Sequence, residues 1–550
     1  MRRFFIPILL TSLSGCGGGG GGSADSTPVN NDPDSSSEPE PTEILLLDSV
    51  PAAGAPAIDA GSGTFNLAHP AYTDLSINLN GDCADLAGET LRRRLLDMAG
   101  TEFDEVLDHH VSCNLQENTS YEIVANGTRD NNEDFQASLA FSTGNSASTS
   151  MTVQDSVSIP QSEINDLFQN YIKGALISEL QIPRLIETLI VDLIAELAES
   201  NWGTLTDPSP LYAVVAERIA YSSRSPSGEP SDLSGLVARP VVNDGFTPRD
   251  RFIILAHATG STPSNLNQAD AWYILANMFA SRGYLVVAAD NFGRGASSDQ
   301  EETYLMANRT AYNTIDLARR VLNDANYAEI YGGNEAAVIG YSQGGHSAIA
   351  VWLMNELQAS SGIDISLVYA GGAPHNLYQT VRGVLRHIGG ACDDAFCQLV
   401  DKETTVPFAT NRILPALFAY TDTGLSLDEV VIDNTIADPF VSGFLANEAE
   451  YDTIKSLLQL NSFTTISNAD ILSASNAIVH LYHSNYDRLV PSVNTTELLA
   501  VLETHVNVDY HQNQCNSDGY KAIFNLTDKV GVVHTLCGMS VLDDAMQDLQ

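Results

Sequence analysis

Short apolar runs alternate with amphipathic stretches over residues 211–550. The apolar runs predict buried strands at residues 252–256, 285–289, 336–339, 365–369, 478–482 and 506–510. Apolar positions at helical spacing predict helices at residues 269–282, 310–323, 346–357 and 492–504. Buried strands that alternate with helices are typical of a mostly parallel sheet with helices on both faces. We therefore predict an α/β fold for this region.

Residues 376–475 interrupt this alternation. Their sequence is mixed and mainly helix-like, and the next apolar strand begins only after it. We interpret the insertion as a helical cap over the functional site of this region.

An all-β domain is predicted for residues 43–147. Alternating runs such as 75–79, 121–125 and 137–141 are separated by Gly, Asn and Asp turns, as a β-sandwich requires. The segments 48–55 and 118–144 resemble bacterial Ig-like modules. That resemblance implies a spacer, with carbohydrate or polymer binding as the alternative.

A helical connecting segment is predicted for residues 148–210. Apolar residues recur at helical spacing between 185 and 197, which indicates one face of an amphipathic helix. Because Glu187, Asp192 and Glu196 interrupt it, we expect core packing or a cover for the site rather than a membrane span. Contact with a lipid interface is the alternative.

The amino terminus has the features of a lipoprotein signal peptide. Two arginines precede an apolar run that is too short to span a bilayer, and Leu-Ser-Gly-Cys16 resembles a lipobox. The resemblance implies cleavage after residue 15, diacylation of Cys16 and sorting to the bacterial outer membrane. An ordinary secretory signal is the alternative. Residues 16–42, rich in Gly, Ser, Pro and acidic residues, are predicted to form a flexible tether.

The chain is strongly acidic, with a formal net charge of −43 from 26 basic and 69 acidic residues. This charge disfavours nucleic acid as a partner. We expect a solvated surface and attachment to a membrane through the lipid anchor. Nothing in the sequence indicates an oligomer, so a monomer is the default.

The chain has 7 cysteines, and an even number remains once Cys16 is lipidated. Exported proteins commonly pair such cysteines. Proximity along the chain favours the pairs Cys83 with Cys113, Cys392 with Cys397 and Cys515 with Cys537. A metal site is the alternative, but no C-x-x-C or H-E-x-x-H motif supports one, and we predict no metal and no cofactor.

Residues 340–345 read Gly-Tyr-Ser-Gln-Gly-Gly between a predicted strand and a predicted helix. G-x-S-x-G in this context indicates a nucleophile elbow, a tight turn that lifts Ser342 clear of the sheet. A serine hydroxyl needs a base and an orienting carboxylate to become nucleophilic. Both groups are therefore expected later in the chain.

Taken with the segments 257–260 and 290–295, this elbow resembles the α/β-hydrolase superfamily, and within it extracellular bacterial lipases and esterases. The resemblance covers about residues 211–550 and implies an α/β-hydrolase fold with a cap. It implies that Asp487, after a strand and before Val-Pro, is the acid, and that His534 is the base in a loop before a helix at 539–549. His511 and His505 are the alternative bases.

The same resemblance implies an oxyanion hole. The backbone N–H of Gln343 is one expected donor, and Thr259 is the second by analogy with the residue that follows His-Gly in related enzymes. Ala258 replaces that glycine here. His257, His346 and His375 are expected near the pocket in structural or substrate-contact roles, and Asp290 is expected to stabilise its turn.

The sequence thus predicts an exported, lipid-anchored serine hydrolase whose substrate is a lipid, a small carboxylic ester or a polyester. A serine peptidase of the same fold is the alternative within enzymes. A surface binding protein with an inactive hydrolase domain is the alternative from another class.

Overall fold

The computed structural model describes residues 48–50, 52, 54–55, 57–58, 64–70, 73–79, 89–96, 102–112, 115–128, 134–146, 151–172, 187–357, 362–398, 400–527 and 531–549. The predicted signal peptide and tether lie outside these residues, as do Cys16, Cys83 and Cys113.

Strands within the described ranges are β1 (Asp48–Val50), β2 (Thr64–Pro70), β3 (Thr73–Leu79), β4 (Glu89–Leu96), β5 (Glu102–Ser112), β6 (Ser120–Thr128), β7 (Asp134–Ser142), β8 (Met151–Ile159), β9 (Val214–Arg224), β10 (Pro230–Pro240), β11 (Arg251–Ala256), β12 (Val286–Ala289), β13 (Glu335–Tyr341), β14 (Asp364–Gly371), β15 (Val431–Ile432), β16 (Thr435–Ile436), β17 (Ile478–Tyr482) and β18 (Asn507–Tyr510).

The α-helices of the same ranges are α1 (Gln161–Tyr171), α2 (Glu187–Asn201), α3 (Gly203–Thr206), α4 (Ala271–Ser281), α5 (Ala307–Asn323), α6 (Gln343–Leu357), α7 (Leu377–Ile388), α8 (Ala395–Gln398), α9 (Lys402–Phe408), α10 (Leu414–Tyr420), α11 (Leu427–Val430), α12 (Asp438–Leu445), α13 (Asp452–Leu460), α14 (Val493–Leu502), α15 (Asp518–Leu526) and α16 (Val532–Asp548).

The main sheet has the strand order β18-β17-β14-β13-β11-β12-β10-β9-β8. The strands from β18 to β12 pair in parallel, and β10, β9 and β8 add to that block as antiparallel strands. The prediction of a mostly parallel α/β sheet is therefore confirmed.

Both faces of this sheet are buried. In β11, Phe252 and Ile254 pack with apolar residues of α5 and α6, whereas Ile253 and Leu255 pack with those of α4 and α16. Since the central strands, β11 to β14, contribute side chains to two apolar cores, their sequences are continuously apolar rather than alternating. This is why the strands were predictable.

The segment 148–210, predicted as a helical connection, also contains a strand. Its β8 pairs antiparallel with β9 and extends the main sheet. Most β8 residues are exposed, with Val153 53% exposed, so the strand lacks the apolar run that marks the others. Within the predicted amphipathic helix, α2 buries Ile190, Ile194 and Leu197 in the core.

Leu189 of α2 is 48% exposed, so the buried stripe is narrower than predicted. Among the described helices, none combines the length and the apolar character of a membrane span.

Between β14 and β17 the chain forms helices α7 to α13 and the short β15–β16 hairpin. Their apolar side chains form a third core, in which Leu377, Val381 and Leu414 pack with Leu305 of the segment before α5. The range predicted as a cap therefore has a core of its own.

The amino-terminal strands form two antiparallel sheets, β1-β2-β5-β4 and β3-β6-β7. The first sheet contacts the cap directly. The side chain of Arg93 is 1% exposed and donates to the carbonyl oxygen of Ser462 over 2.8 Å. Leu95 and Val106 join the apolar core of the cap. The Ig-like assignment stays a prediction, but this sheet is packed against the cap.

Candidate active site

Ser342 lies at the turn between β13 and α6, with φ of 59°. A left-handed conformation is uncommon for a residue with a Cβ atom and marks a strained position. The turn is fixed by the Ser342 amide, which donates to the carbonyl oxygen of Gly371 over 2.9 Å. This is the geometry expected of a nucleophile elbow.

The glycines around Ser342 are required by close backbone approaches. A Cβ atom on Gly340 would collide with the carbonyl oxygen of Gly344, and one on Gly344 would collide with that of Ala256. A Cβ atom on Gly345 would lie 2.7 Å from the carbonyl oxygen of Gly371. The motif therefore packs α6 tightly against β11 and β14.

Asp487 and His534 are in direct contact. The His534 Nδ1 atom lies 2.6 Å from Oδ2 of Asp487, and both residues are buried. The other ring nitrogen, Nε2, is buried and has no hydrogen-bond partner among the described residues. His534 and Ser342 line the same cavity. An imidazole held by a carboxylate on one side and free on the other can act as a general base.

The environment of Asp487 keeps its carboxylate charged. Its Oδ1 atom accepts from the amides of Leu489 and Val490, over 2.8 and 2.9 Å, and Nε2 of His483 lies 3.5 Å from Oδ2. Burial alone would raise the pKa of Asp487, but His534 and His483 outweigh it and hold that pKa well below its usual range.

The position of His534 in its element differs from the prediction. We expected a loop before a helix at residues 539–549, but α16 begins at Val532, so His534 lies in its first turn. Gly531, with φ of 64°, ends the preceding segment and allows the helix to start early. The Cys515–Cys537 disulfide therefore anchors the helix that carries His534, rather than a loop.

The candidate oxyanion donors lie beside Ser342. Gln343 is the first residue of α6, so its amide has no acceptor within the helix and is free for a ligand. Thr259 lines the cavity with Ser342. The loop that carries Thr259 is tied to α4, because the N-cap Asp270 accepts from the Ser261 hydroxyl over 2.8 Å.

A charged network joins both candidate donors to the cap. The carboxylate of Glu302 is 7% exposed and accepts from the Gln343 side chain over 2.7 Å and from Arg412 over 2.9 Å. The hydroxyl of Tyr304 lies 2.8 Å from that of Thr259, and the Arg412 guanidinium lies 5.7 Å from the centre of the Tyr304 ring. One residue of the cap thus holds the two side chains that position the donors.

We expect Arg412→Met to lower kcat for a short ester by about 10-fold, because loosening preorganised donors weakens oxyanion stabilisation. The Arg412 side chain is 31% exposed, so the thermal midpoint should change little. The matched control is Arg386→Met, since Arg386 also pairs with a carboxylate of the cap, Asp394, over 2.7 Å. Equal kcat values for the two variants would show that Arg412 does not help to position the oxyanion donors.

The other histidines lie away from the Asp487 carboxylate, except His483. His257 contacts the carbonyl of its neighbour Ala258, and His346 contacts that of Asn461. Burial lowers the pKa of His346 to about 4, so it is neutral at pH 7. His375 is fully buried, and burial holds its pKa well below the usual range. His511 lies beside His480 at the sheet edge, 2.9 Å away.

Asp290 is buried in its turn and accepts from the Ser234 hydroxyl over 2.6 Å. Burial raises its pKa. It contacts Ser234 and Ser264 rather than lining either cavity, which agrees with the predicted role in the turn.

Two predicted cysteine pairs are confirmed. Cys392 and Cys397 have a sulfur–sulfur distance of 1.98 Å, and Cys515 and Cys537 one of 2.06 Å. The predicted pair Cys83–Cys113 lies outside the described residues.

Two cavities meet at Ser342. The narrower one extends into the cap and is lined mainly by apolar residues, including Val381, Val384, Val400 and Ile413. The wider one is more polar and is lined by the Thr259 loop, α4 and the first turns of α16. Phe408 and Leu489 line both cavities and lie between them.

Sequence reasoning missed Glu302, Tyr304, Arg412 and Tyr341. Tyr341 adjoins Ser342 in the motif, and its hydroxyl donates to the carbonyl oxygen of His534 over 2.5 Å. Cβ atoms on Gly371, Gly372 or Gly538 would collide with its ring. The glycine pair Gly371-Gly372 at the end of β14 was the available signal, but nothing local links it to residue 341.

Residues 253–354 match the family model described as the alpha/beta hydrolase fold. No curated protein matches the chain. The solved structure of lpg1103 from Legionella pneumophila is 17% identical, with 70% of this chain and 97% of that chain covered and a TM-score of 0.49.

The ligand-bound rice cell wall degrading esterase LipA from Xanthomonas oryzae is 19% identical, with 72% and 99% covered and a TM-score of 0.48. Candida antarctica lipase A in its closed state is 15% identical, with 65% and 75% covered and a TM-score of 0.35. The family-model match and the strand order of the main sheet together give this chain the α/β-hydrolase fold.

Proposed function

We propose that this chain is an exported, lipid-anchored serine hydrolase that cleaves carboxylic esters through an acyl-enzyme. One observation carries the proposal. Ser342 lies at a strained turn and lines the same cavity as His534. The Nδ1 atom of His534 lies 2.6 Å from Oδ2 of Asp487, which leaves its Nε2 atom available to Ser342. The residues 1–16 and the two disulfides support export, because disulfides persist in oxidising compartments.

The mechanism uses these groups in two successive half-reactions, acylation and hydrolysis. The free Nε2 of His534 takes the proton of the Ser342 hydroxyl, and the oxygen attacks the ester carbonyl carbon. The oxyanion that forms accepts from the Gln343 amide and from Thr259. His534 then gives its proton to the leaving alcohol, and a water molecule hydrolyses the acyl-enzyme by the same route.

The polarity of the two cavities favours one orientation of the ester, with the acyl chain in the cap. The cavity in the cap is mainly apolar and suits an acyl chain, whereas the wider cavity has polar groups that suit an alcohol. Burial of one methylene group contributes about 0.8 kcal/mol. We therefore expect kcat/KM to rise by up to about 4-fold per added methylene until the cavity in the cap is full.

A nitrophenyl ester panel graded by acyl length tests this proposal, with aminoacyl anilides in parallel. The account predicts ester hydrolysis that rises with acyl length, and little or no anilide hydrolysis. Val384→Phe should reduce the gain for longer acyl chains, while acetyl ester hydrolysis serves as the internal control. Faster hydrolysis of the anilides would favour a peptidase, and no turnover of either class would favour a binding protein.

A further inference from the structure

A cluster of side chains with potential metal-ligating atoms lies at the edge of the main sheet. His480 of β17 and Asp509 of β18 are paired neighbours in the two strands, and His511 follows β18 directly. The Nδ1 atom of His480, the Nε2 atom of His511 and a carboxylate oxygen of Asp509 all lie within 4.8 Å of one another. None of these residues has a role in the ester hydrolysis described above.

The two nitrogens of His511 face different groups. Its Nε2 atom lies 2.9 Å from Nδ1 of His480 and 3.6 Å from Oδ2 of Asp509. Its Nδ1 atom lies 3.4 Å from Oδ2 of Asp544 in α16. A neutral imidazole has one N–H group, and with that proton on Nδ1, the nitrogen nearer Asp544, the Nε2 lone pair faces the cluster.

Each imidazole is held in its plane. The ring of His480 stacks on Tyr369 at 4.5 Å between centres, and the ring of His511 stacks on Tyr482 at 4.4 Å. The Tyr482 hydroxyl donates to Asp544 over 2.6 Å and fixes that carboxylate too. A carboxylate that orients a histidine from its far nitrogen is the usual partner of a metal-ligating imidazole.

We propose that His480, Asp509 and His511 bind a divalent zinc ion, with Asp544 orienting His511 as a positioning residue. Two imidazole nitrogens and one carboxylate oxygen suit Zn²⁺, whose remaining position can take water. The site is reachable from solvent, because the side chains of Asp509 and His511 are 61% and 22% exposed. The sequence showed no metal motif, because the ligands belong to two strands and combine only in the fold.

Such an ion would have a structural role, because none of its three ligands lines either cavity at Ser342. Asp544 is ten residues beyond His534 in α16, which corresponds to about 15 Å along a helix. The ion would join the edge of β17 and β18 to the helix that carries the catalytic base. A ligand that binds only the folded chain raises the free energy of unfolding.

Titration of the full chain with Co²⁺, followed by visible absorption and then by displacement with Zn²⁺, tests this proposal. The expected result is one saturable Co²⁺ site that Zn²⁺ displaces, together with a higher thermal midpoint in zinc. His511→Gln and Asp509→Asn should abolish the Co²⁺ absorption band, and Asp544→Asn should weaken binding by about 10- to 100-fold. Since Asp509 is largely exposed, its variant should fold even where His511→Gln does not.

The matched control is Asp518→Asn, which removes an equal charge from an exposed position of α15 and should leave Co²⁺ binding unchanged. Equal Co²⁺ binding by the wild type and Asp509→Asn would overturn the proposal. It would show that the acidic surface binds cations without a specific site. Absence of a saturable Co²⁺ site in the wild type would also overturn it. Ester hydrolysis measured without metal is a separate readout, so failure of the zinc site leaves the proposed hydrolase mechanism standing.

Discussion

Ser342→Ala is expected to lower kcat/KM for carboxylic esters by about 10⁴- to 10⁶-fold, because no other group can form the acyl-enzyme. The fold should be unchanged, since alanine fits the same turn and the Ser342 amide keeps its bond to Gly371. Initial rates with a nitrophenyl ester and the thermal midpoint measure the two effects.

The matched control is Ser347→Ala, one turn further along α6. The Ser347 hydroxyl is buried, donates to the carbonyl oxygen of Gln343 over 3.0 Å and lines neither cavity, whereas Ser342 is half-buried and lines both. This variant should keep activity near that of the wild type. Retention of more than a small fraction of activity by Ser342→Ala would refute the nucleophile assignment.

Asp487→Asn is expected to lower kcat by about 10³- to 10⁴-fold. The amide keeps the approximate shape of the side chain but removes the charge that stabilises protonated His534, and it can hold the imidazole in the wrong tautomer. Steady-state kinetics beside Asp518→Asn, an exposed acid of α15, isolate this effect. Similar kcat values for the two variants would show that Asp487 only shapes its turn.

The same variant has an expected signature in acid. The folded-state pKa of Asp487 is held below its usual value, so the charged carboxylate stabilises the fold above the unfolded pKa of about 3.9. That stabilisation is lost as the pH falls below about 4. The free energy of unfolding should therefore fall less steeply with acid for Asp487→Asn than for the wild type.

The parts of the molecule that depend on local sequence were predictable. The strands around Ser342 are continuously apolar because both faces of the sheet are covered, and the elbow glycines are required by contacts within one turn. His534 was chosen by its place in the chain, and its contact with Asp487 agrees with that choice.

Features that depend on distant contacts were not predictable. Arg412 and Glu302 are 110 residues apart, and no sequence motif predicts that they form an ion pair. The edge strand β8 is polar and has no apolar run. Its sequence therefore did not predict a strand that pairs with β9. The early start of α16 depends on the left-handed conformation of Gly531. The presence of one glycine in a sequence does not predict that conformation.

The proposed ester hydrolysis depends most on the activation of Ser342 by His534. Labelling with a fluorophosphonate probe, followed by mass mapping of the modified peptide, measures this directly. We predict one modification at Ser342 in the wild type, none at this position in Ser342→Ala, and markedly slower modification in Asp487→Asn. An ester-hydrolysing wild type whose Ser342 stays unmodified, or that is labelled at another residue, would contradict the account.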